Sequence, residues 1–109
     1  MARKAGSPYR KPASGWVSDL PLLVELSPRA LRDLKAFEKA AAEEIFDDLK
    51  ILQTRPWPGP PKVKKLEGYK NLYRLRTGDY RSLFEPTVKG VVVLRVLDRK
   101  GLERILRNL

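Results

Sequence analysis

Two short alternating segments meet at a tight turn, and this pairing restricts the chain more than any other feature. Leu72, Tyr73, Arg74, Leu75 and Arg76 alternate. Gly78 and Asp79 supply turn chemistry, and Tyr80, Arg81, Ser82, Leu83 and Phe84 return. The stretch from Lys65 to Arg81 therefore reads as a β-hairpin. A turn centred on Gly78 and Asp79 sets Arg76 opposite Arg81 and Arg74 opposite Leu83. Like charges directly opposite each other destabilise a sheet. That cost points to an anion held between the guanidinium groups; a solvated polar sheet face is the bland alternative.

The rest of the composition narrows the partner. The chain has 109 residues, of which 42% are hydrophobic, enough for one compact domain with its own core and too few for two. Its formal net charge is +10, which favours a polyanion such as nucleic acid or an acidic protein segment over an anionic membrane surface. Cysteine is absent, so disulfide scaffolds and thiolate metal sites are excluded. Histidine is absent too, which removes the commonest general acid/base and the commonest transition-metal ligand. No cofactor is expected. No apolar run approaches the length of a membrane span, and the basic N-terminus is followed by no apolar stretch of the secretory kind. The default expectation is a cytoplasmic location with no membrane partner.

Along the chain, residues 1–15 carry Arg3, Lys4, Arg10 and Lys11 among Pro, Gly and Ser, with no acid. They read as a flexible basic arm, and 16–109 as a single domain. Leu22 to Leu26 is a short apolar run that suits a first strand. Ser27 and Pro28 then supply an N-cap and a proline at the first helical position. Ala30, Leu31, Leu34 and Phe37 recur at helical spacing, as do Ala41, Ile45, Leu49 and Leu52 with Phe46. The run from Pro28 to Thr54 exceeds an ordinary helix, so a helical hairpin breaking near Lys39 and Ala40 is expected, although no Gly or Pro marks the break. Four prolines and a glycine between Arg55 and Pro61 forbid regular structure there. Trp57 reads as a cover for the core edge. Lys62, Lys64 and Lys65 follow. Gly90 to Leu97 is a strong strand, and Gly101 to Leu109 a short terminal helix.

Strict alternation assigns faces. Tyr73, Leu75, Tyr80, Phe84, Val92, Leu94 and Val96 should face the helices. Arg74, Arg76, Arg81, Arg95 and Arg99 should share the opposite face. The fold class is α+β: a small, mostly antiparallel sheet, an N-terminal helical hairpin on one face and a short C-terminal helix.

The order of these segments resembles a known group. It runs through Leu26 to Leu34, the helical hairpin, the proline-rich link, Lys64 to Gly68, Leu72 to Arg81, and Val93 to Lys100. This resembles the RelE/ParE superfamily of bacterial type II toxins over roughly Leu22 to Leu106. The resemblance implies a RelE-like toxin neutralised by a cognate antitoxin protein. RelE-type members cleave messenger RNA on the ribosome without metal, whereas ParE-type members inhibit DNA gyrase and cleave nothing. Carried over by position, Arg74 and Arg76 fall where RelE-type toxins hold basic residues contacting RNA. Arg81 falls on the arginine that stabilises the scissile phosphate, and Arg99 on a second arginine of the catalytic region. Many members have His where this chain has Asp98, and a tyrosine or similar residue on the terminal helix where this chain has none.

Metal-free cleavage by 2′-hydroxyl attack needs a base, an acid and cations for the developing phosphorane charge. The cations are well supplied, because arginine forks match phosphate oxygens and stay charged. Arg76, Arg81 and Arg99 are the catalytic candidates. Arg74, Lys62, Lys64, Lys65 and Arg95 are the RNA-binding candidates. The acid and base are open among Glu103, Asp98 and Tyr80, with Glu85, Lys65 and Lys100 as further candidates. Each has a plainer reading beside it: Tyr80 as packing, Asp98 as a partner of Arg99 or Lys100 at a strand end, Glu103 as an exposed helix charge. The functional readings are a ribosome-dependent messenger RNA endonuclease, a gyrase-binding or catalytically weakened relative, and a plain nucleic-acid-binding module.

Overall fold

The computed structural model describes residues 22–108, so the basic arm expected over 1–15 lies outside the described residues. Strand β1 (Leu23–Leu26) leads into helices α1 (Pro28–Ala36) and α2 (Lys39–Leu49), with one 3-10 turn over Lys50–Gln53. Strands β2 (Val63–Lys65), β3 (Tyr73–Thr77), β4 (Tyr80–Pro86) and β5 (Gly90–Asp98) follow, and helix α3 (Arg99–Arg107) closes the chain. The five strands form one sheet in the order β1-β5-β4-β3-β2. Only the β1–β5 pair is parallel. The α+β class, the helical hairpin and the terminal helix are as expected. Strand β2 is additional: its three residues sit beside β3, with Lys64 opposite Arg74. So short a strand, rich in lysine, carries no alternation of its own to read.

Local chemistry explains α1 and its end. The Ser27 hydroxyl accepts from the Ala30 N–H at 3.0 Å and donates to the Leu94 carbonyl at 2.8 Å. One side chain thus caps the helix and ties it to β5. Pro28 occupies the first turn, where a missing N–H costs nothing. The break comes at Phe37 and Glu38, both extended. Packing takes the place of a breaker residue there. Phe37 leaves the helical path and lays its ring against Tyr80, centroids 4.7 Å apart.

The main core lies between the helical hairpin and the sheet. Ala30, Leu34, Ile45, Leu49 and Leu52 meet Val63, Leu75, Phe84, Val91, Val93 and Val96 there. Trp57 covers its edge, edge-on to Phe84 and Tyr73, with its indole N–H donating to the Leu52 carbonyl at 3.2 Å. Leu31 and Phe46, expected in the helical stripes, are exposed.

Face assignment along β5 needs one correction. Val91 and Val93 occupy the core, where alternation had put Val92 and Leu94. A β-bulge is the reason. The register passes from Leu83 opposite Arg95 to Phe84 opposite Val93, leaving Leu94 as an extra residue. Leu94 therefore joins a second apolar cluster on the other face, with Leu72, Leu83, Leu97, Leu102 and Leu106. That cluster is roofed by α3, so the face expected to be purely basic is half-covered by leucine.

Candidate functional site

The site grows from the β3–β4 turn. Gly78 takes φ +58°, a left-handed conformation that glycine adopts freely, and the strands pair with Arg76 opposite Arg81 and Arg74 opposite Leu83. The like-charged pair anticipated from the sequence is present. Arg81 is steered by its own turn: its guanidinium donates to the Gly78 carbonyl at 2.8 Å and the Tyr80 carbonyl at 3.1 Å. The Asp79 carbonyl accepts the Arg99 N–H at 3.0 Å, which draws the start of α3 against the same turn.

The outcome is a groove of about 410 Å³ lined by Arg74, Arg76, Arg81, Arg99, Glu103, Leu66, Leu102 and Leu106. Among the described residues, four guanidinium groups share it with one carboxylate. That carboxylate, Glu103, lies 3.8 Å from Arg99, and both side chains are largely in solvent. Arg74, Arg76 and Arg81 have no carboxylate within ion-pair distance among the described residues. The crowding has an electrostatic signature. Burial lowers the Arg81 pKa below its ordinary value, the charges of Arg74, Arg76 and Arg99 push the same way, and Asp79 opposes them. Burial and then Arg76 lower that of Arg74. An anion entering the groove relieves the like-charge part of both shifts. Leu66, Leu102 and Leu106 give the groove an apolar side, while Arg99 and Glu103 keep it open to solvent.

Several candidates lie elsewhere. Arg95, expected on the basic face, turns to α1 at the bulge. Its Nε and Nη2 donate to Asp33 at 2.8 and 3.2 Å, and the Val96 N–H donates to the same carboxylate at 2.9 Å. The Asp33 hydrogen bond, with its charge, raises the Arg95 pKa against the effect of burial. Lys62 is paired with Asp48 of α2. Lys65 lies opposite Tyr73, in phase with the helix side of the sheet, while Lys64, opposite Arg74, is in phase with the groove. Tyr80 packs on Phe37 on the helix side. Asp98 caps α3, accepting from the Gly101 N–H at 2.6 Å. Of the acid/base candidates, Glu103 alone lines the groove. The floor leucines went unread, because alternation says nothing about a terminal helix folding over the sheet.

No helix among the described residues is long and apolar enough to cross a membrane. They also contain no cluster of acidic residues suited to a metal ion.

Comparison with known proteins agrees with this architecture. The family model of the ParE toxin of the type II toxin-antitoxin system parDE matches residues 24–102. Toxin RelE3 of Methanocaldococcus jannaschii is 42% identical over 40 residues, a match covering 37% of this chain and 46% of that relative, so the likeness spans less than half the relative's length. Among solved structures, the archaeal RelE-RelB complex of Pyrococcus horikoshii OT3 is 30% identical with a TM-score of 0.59, over 70% of this chain and 92% of that one. The RelB-RelE antitoxin-toxin complex of Methanococcus jannaschii is 27% identical with a TM-score of 0.59, over 72% and 94%. The RelBE2 toxin-antitoxin complex of Mycobacterium tuberculosis is 25% identical with a TM-score of 0.62, over 73% and 100%. The extent of the family match and the identity to the matched chain of the Pyrococcus RelE-RelB complex lead to one conclusion: this chain belongs to the RelE/ParE superfamily of type II toxin-antitoxin toxins.

Proposed function

We propose that this toxin is an endoribonuclease that cuts messenger RNA on the ribosome and so stops translation. The observation that carries the reading is the convergence of Arg74, Arg76, Arg81 and Arg99 on one groove that, among the described residues, holds a single carboxylate. Such a receptor suits a pentavalent phosphorane better than a neutral ligand. Arg81, held in place by two backbone carbonyls, stabilises the scissile phosphate. Arg76 and Arg99 share the developing charge, and Arg74 and Lys64 hold the flanking backbone. By its position in the groove Glu103 takes the proton from the 2′-hydroxyl, and the leaving 5′ oxygen takes one from solvent water. Clamping the phosphate also holds the 2′-hydroxyl in line for attack, and such positioning supplies a large part of these rate enhancements.

The partner is an antitoxin. This rests on the Methanococcus and Pyrococcus neighbours, which are complexes with RelB. An acidic partner segment would suit a chain of net charge +10.

A second reading has its own support. The ParE family model matches, and Asp98 and Tyr80 are occupied as cap and packing residue. A ParE-like inhibitor that binds gyrase without cleaving anything would have no need of an acid/base pair. Incubation with programmed ribosomes, followed by mapping of message ends, separates the two. Cleaved message supports the endonuclease; intact message with an SOS response in induced cells supports the gyrase reading. Arg81→Ala is expected to lower cleavage about 10²–10³-fold with the fold intact. Full toxicity in that variant would refute the site.

A further inference from the structure

The groove is held from behind. Thr77 is the last β3 residue before the turn and pairs with Tyr80. It is 2% exposed, and its hydroxyl donates to Asp48 Oδ2 of α2 at 2.8 Å. The Lys62 ammonium donates to the same oxygen. The Lys62 carbonyl in turn accepts the Arg76 N–H at 2.8 Å. One carboxylate on the helix side therefore grips Thr77, next to Arg76 in β3, and Lys62, whose carbonyl holds the Arg76 N–H.

The position of Asp48 is costly in its own helix. Asp47 and Asp48 both stand in the last turn of α2, which has no basic residue. Acidic groups are disfavoured at that end by the helix dipole. Asp47 finds only a surface contact with Lys50 at 3.5 Å. Asp48 finds the hairpin, and the hairpin has a matching need. Arg76 and Arg81 repel each other across the rung beside Thr77, and among the described residues no carboxylate lies within ion-pair distance of either. The Gly78 carbonyl also orients the Arg81 guanidinium, and the Asp79 carbonyl anchors the Arg99 backbone, so the place of the turn bears on both.

We infer that Asp48 and Thr77 are positioning residues for the arginine receptor, acting through the sheet without touching the ligand. The part concerning RNA affinity rests on the RNA reading above; the part concerning arginine geometry does not. The clamp sets how far apart the Arg76 and Arg81 guanidinium groups stand when the groove is empty. It keeps the receptor preformed, so that binding does not have to bring two cations together.

The test uses Thr77→Val, which keeps shape and loses the hydroxyl, Thr77→Ser, which keeps the hydroxyl, and Asp47→Ala as a control on the same turn. Two readouts are taken well below the unfolding temperature of each variant: anisotropy of a short labelled single-stranded RNA, and the guanidinium Nε–H signals of Arg76, Arg81 and Arg99 in nitrogen-labelled protein without ligand. Thr77→Val is expected to weaken RNA binding on the order of 10-fold and to shift the Arg81 signal. Thr77→Ser should restore both, and Asp47→Ala should change neither. Wild-type signals for all three arginines in Thr77→Val would overturn the inference whatever the ligand. Loss that Thr77→Ser fails to restore would do the same, reducing the pair to general stability. If the wild-type protein bound no RNA, the RNA reading would fall, while the arginine signals would still decide the positioning role.

Discussion

Asp33 is the residue whose loss should be felt most clearly outside the groove. Its carboxylate accepts two hydrogen bonds from Arg95 and one from the Val96 N–H, and the two side chains are 16% and 23% exposed. Asp33→Ala removes three charge-assisted bonds at once. It strands a half-buried guanidinium and leaves a strand N–H beside the bulge without its acceptor. Hydrogen bonds to charged groups contribute about 1.5–3 kcal/mol each, and breaking a fully buried ion pair costs about 3–5 kcal/mol. Residual solvent access lets water recover part of this, so a net loss of about 3 kcal/mol is expected. For a domain whose total stability is about 5–15 kcal/mol, that is a large share. Urea unfolding at neutral pH measures it directly. Arg95→Met added to Asp33→Ala should regain part of the loss, because it removes the stranded charge. A loss below about 1 kcal/mol for Asp33→Ala, or a double variant less stable than the single one, would refute the reasoning.

Acid unfolding offers a second check on the same group. Burial raises the Asp33 pKa, but the Arg95 and Val96 hydrogen bonds and the charges of Arg95 and Arg29 outweigh it and leave it below 3.8. Its stabilisation is therefore complete above the ordinary carboxylate range and is lost as pH falls below about 3.8 through the lowered folded value. Asp33→Asn should flatten that part of the stability profile, and an unchanged acid limb would count against it. Gly90→Ala should be severe, because the added Cβ would lie 2.0 Å from the Leu23 carbonyl oxygen at φ +157°; strain alone costs about 1–3 kcal/mol, and a thermal melt equal to wild type would contradict this. Ser82 buries a hydroxyl that has no hydrogen-bond partner among the described residues, so Ser82→Ala should stabilise by about 1 kcal/mol, measured by urea midpoint. Binding of single-stranded RNA should weaken with salt, and Arg81→Ala should reduce the slope of log K against log salt by about 0.7. An unchanged slope would place the phosphate elsewhere. Arg95→Met should leave that slope as it is in wild type.

Much of the site was readable because it follows from period-2 alternation about one turn. With Gly78 and Asp79 as the turn, Arg76 has to face Arg81. The helical hairpin was readable in its stripes, while its break depended on Phe37 reaching Tyr80, a contact between residues far apart in the chain. Arg95 went astray for a similar reason. A single bulge at Leu94 breaks the alternation and aims the side chain at Asp33, and neither event leaves a local mark in a run of valines and leucines. Asp98 and Tyr80 looked chemically available as residue types. The Asp98 cap is a local matter, three residues from Gly101, whereas the ring contact of Tyr80 with Phe37 depends on three-dimensional neighbourhood. The leucine floor of the groove depends on α3 folding across the sheet, which helix periodicity cannot specify.

Strand β5 is longer than the neighbour that flanks it on one side: β1 pairs with it only as far as Val93. Beyond that point the exposed rungs are met by side chains of the first helix, Ser27 at the Leu94 carbonyl and Asp33 at the Val96 N–H. An open run of backbone donors and acceptors invites a strand from another molecule. The first helix thus works as a stopper on the sheet, and loosening it would bare a seam of backbone donors and acceptors to other chains.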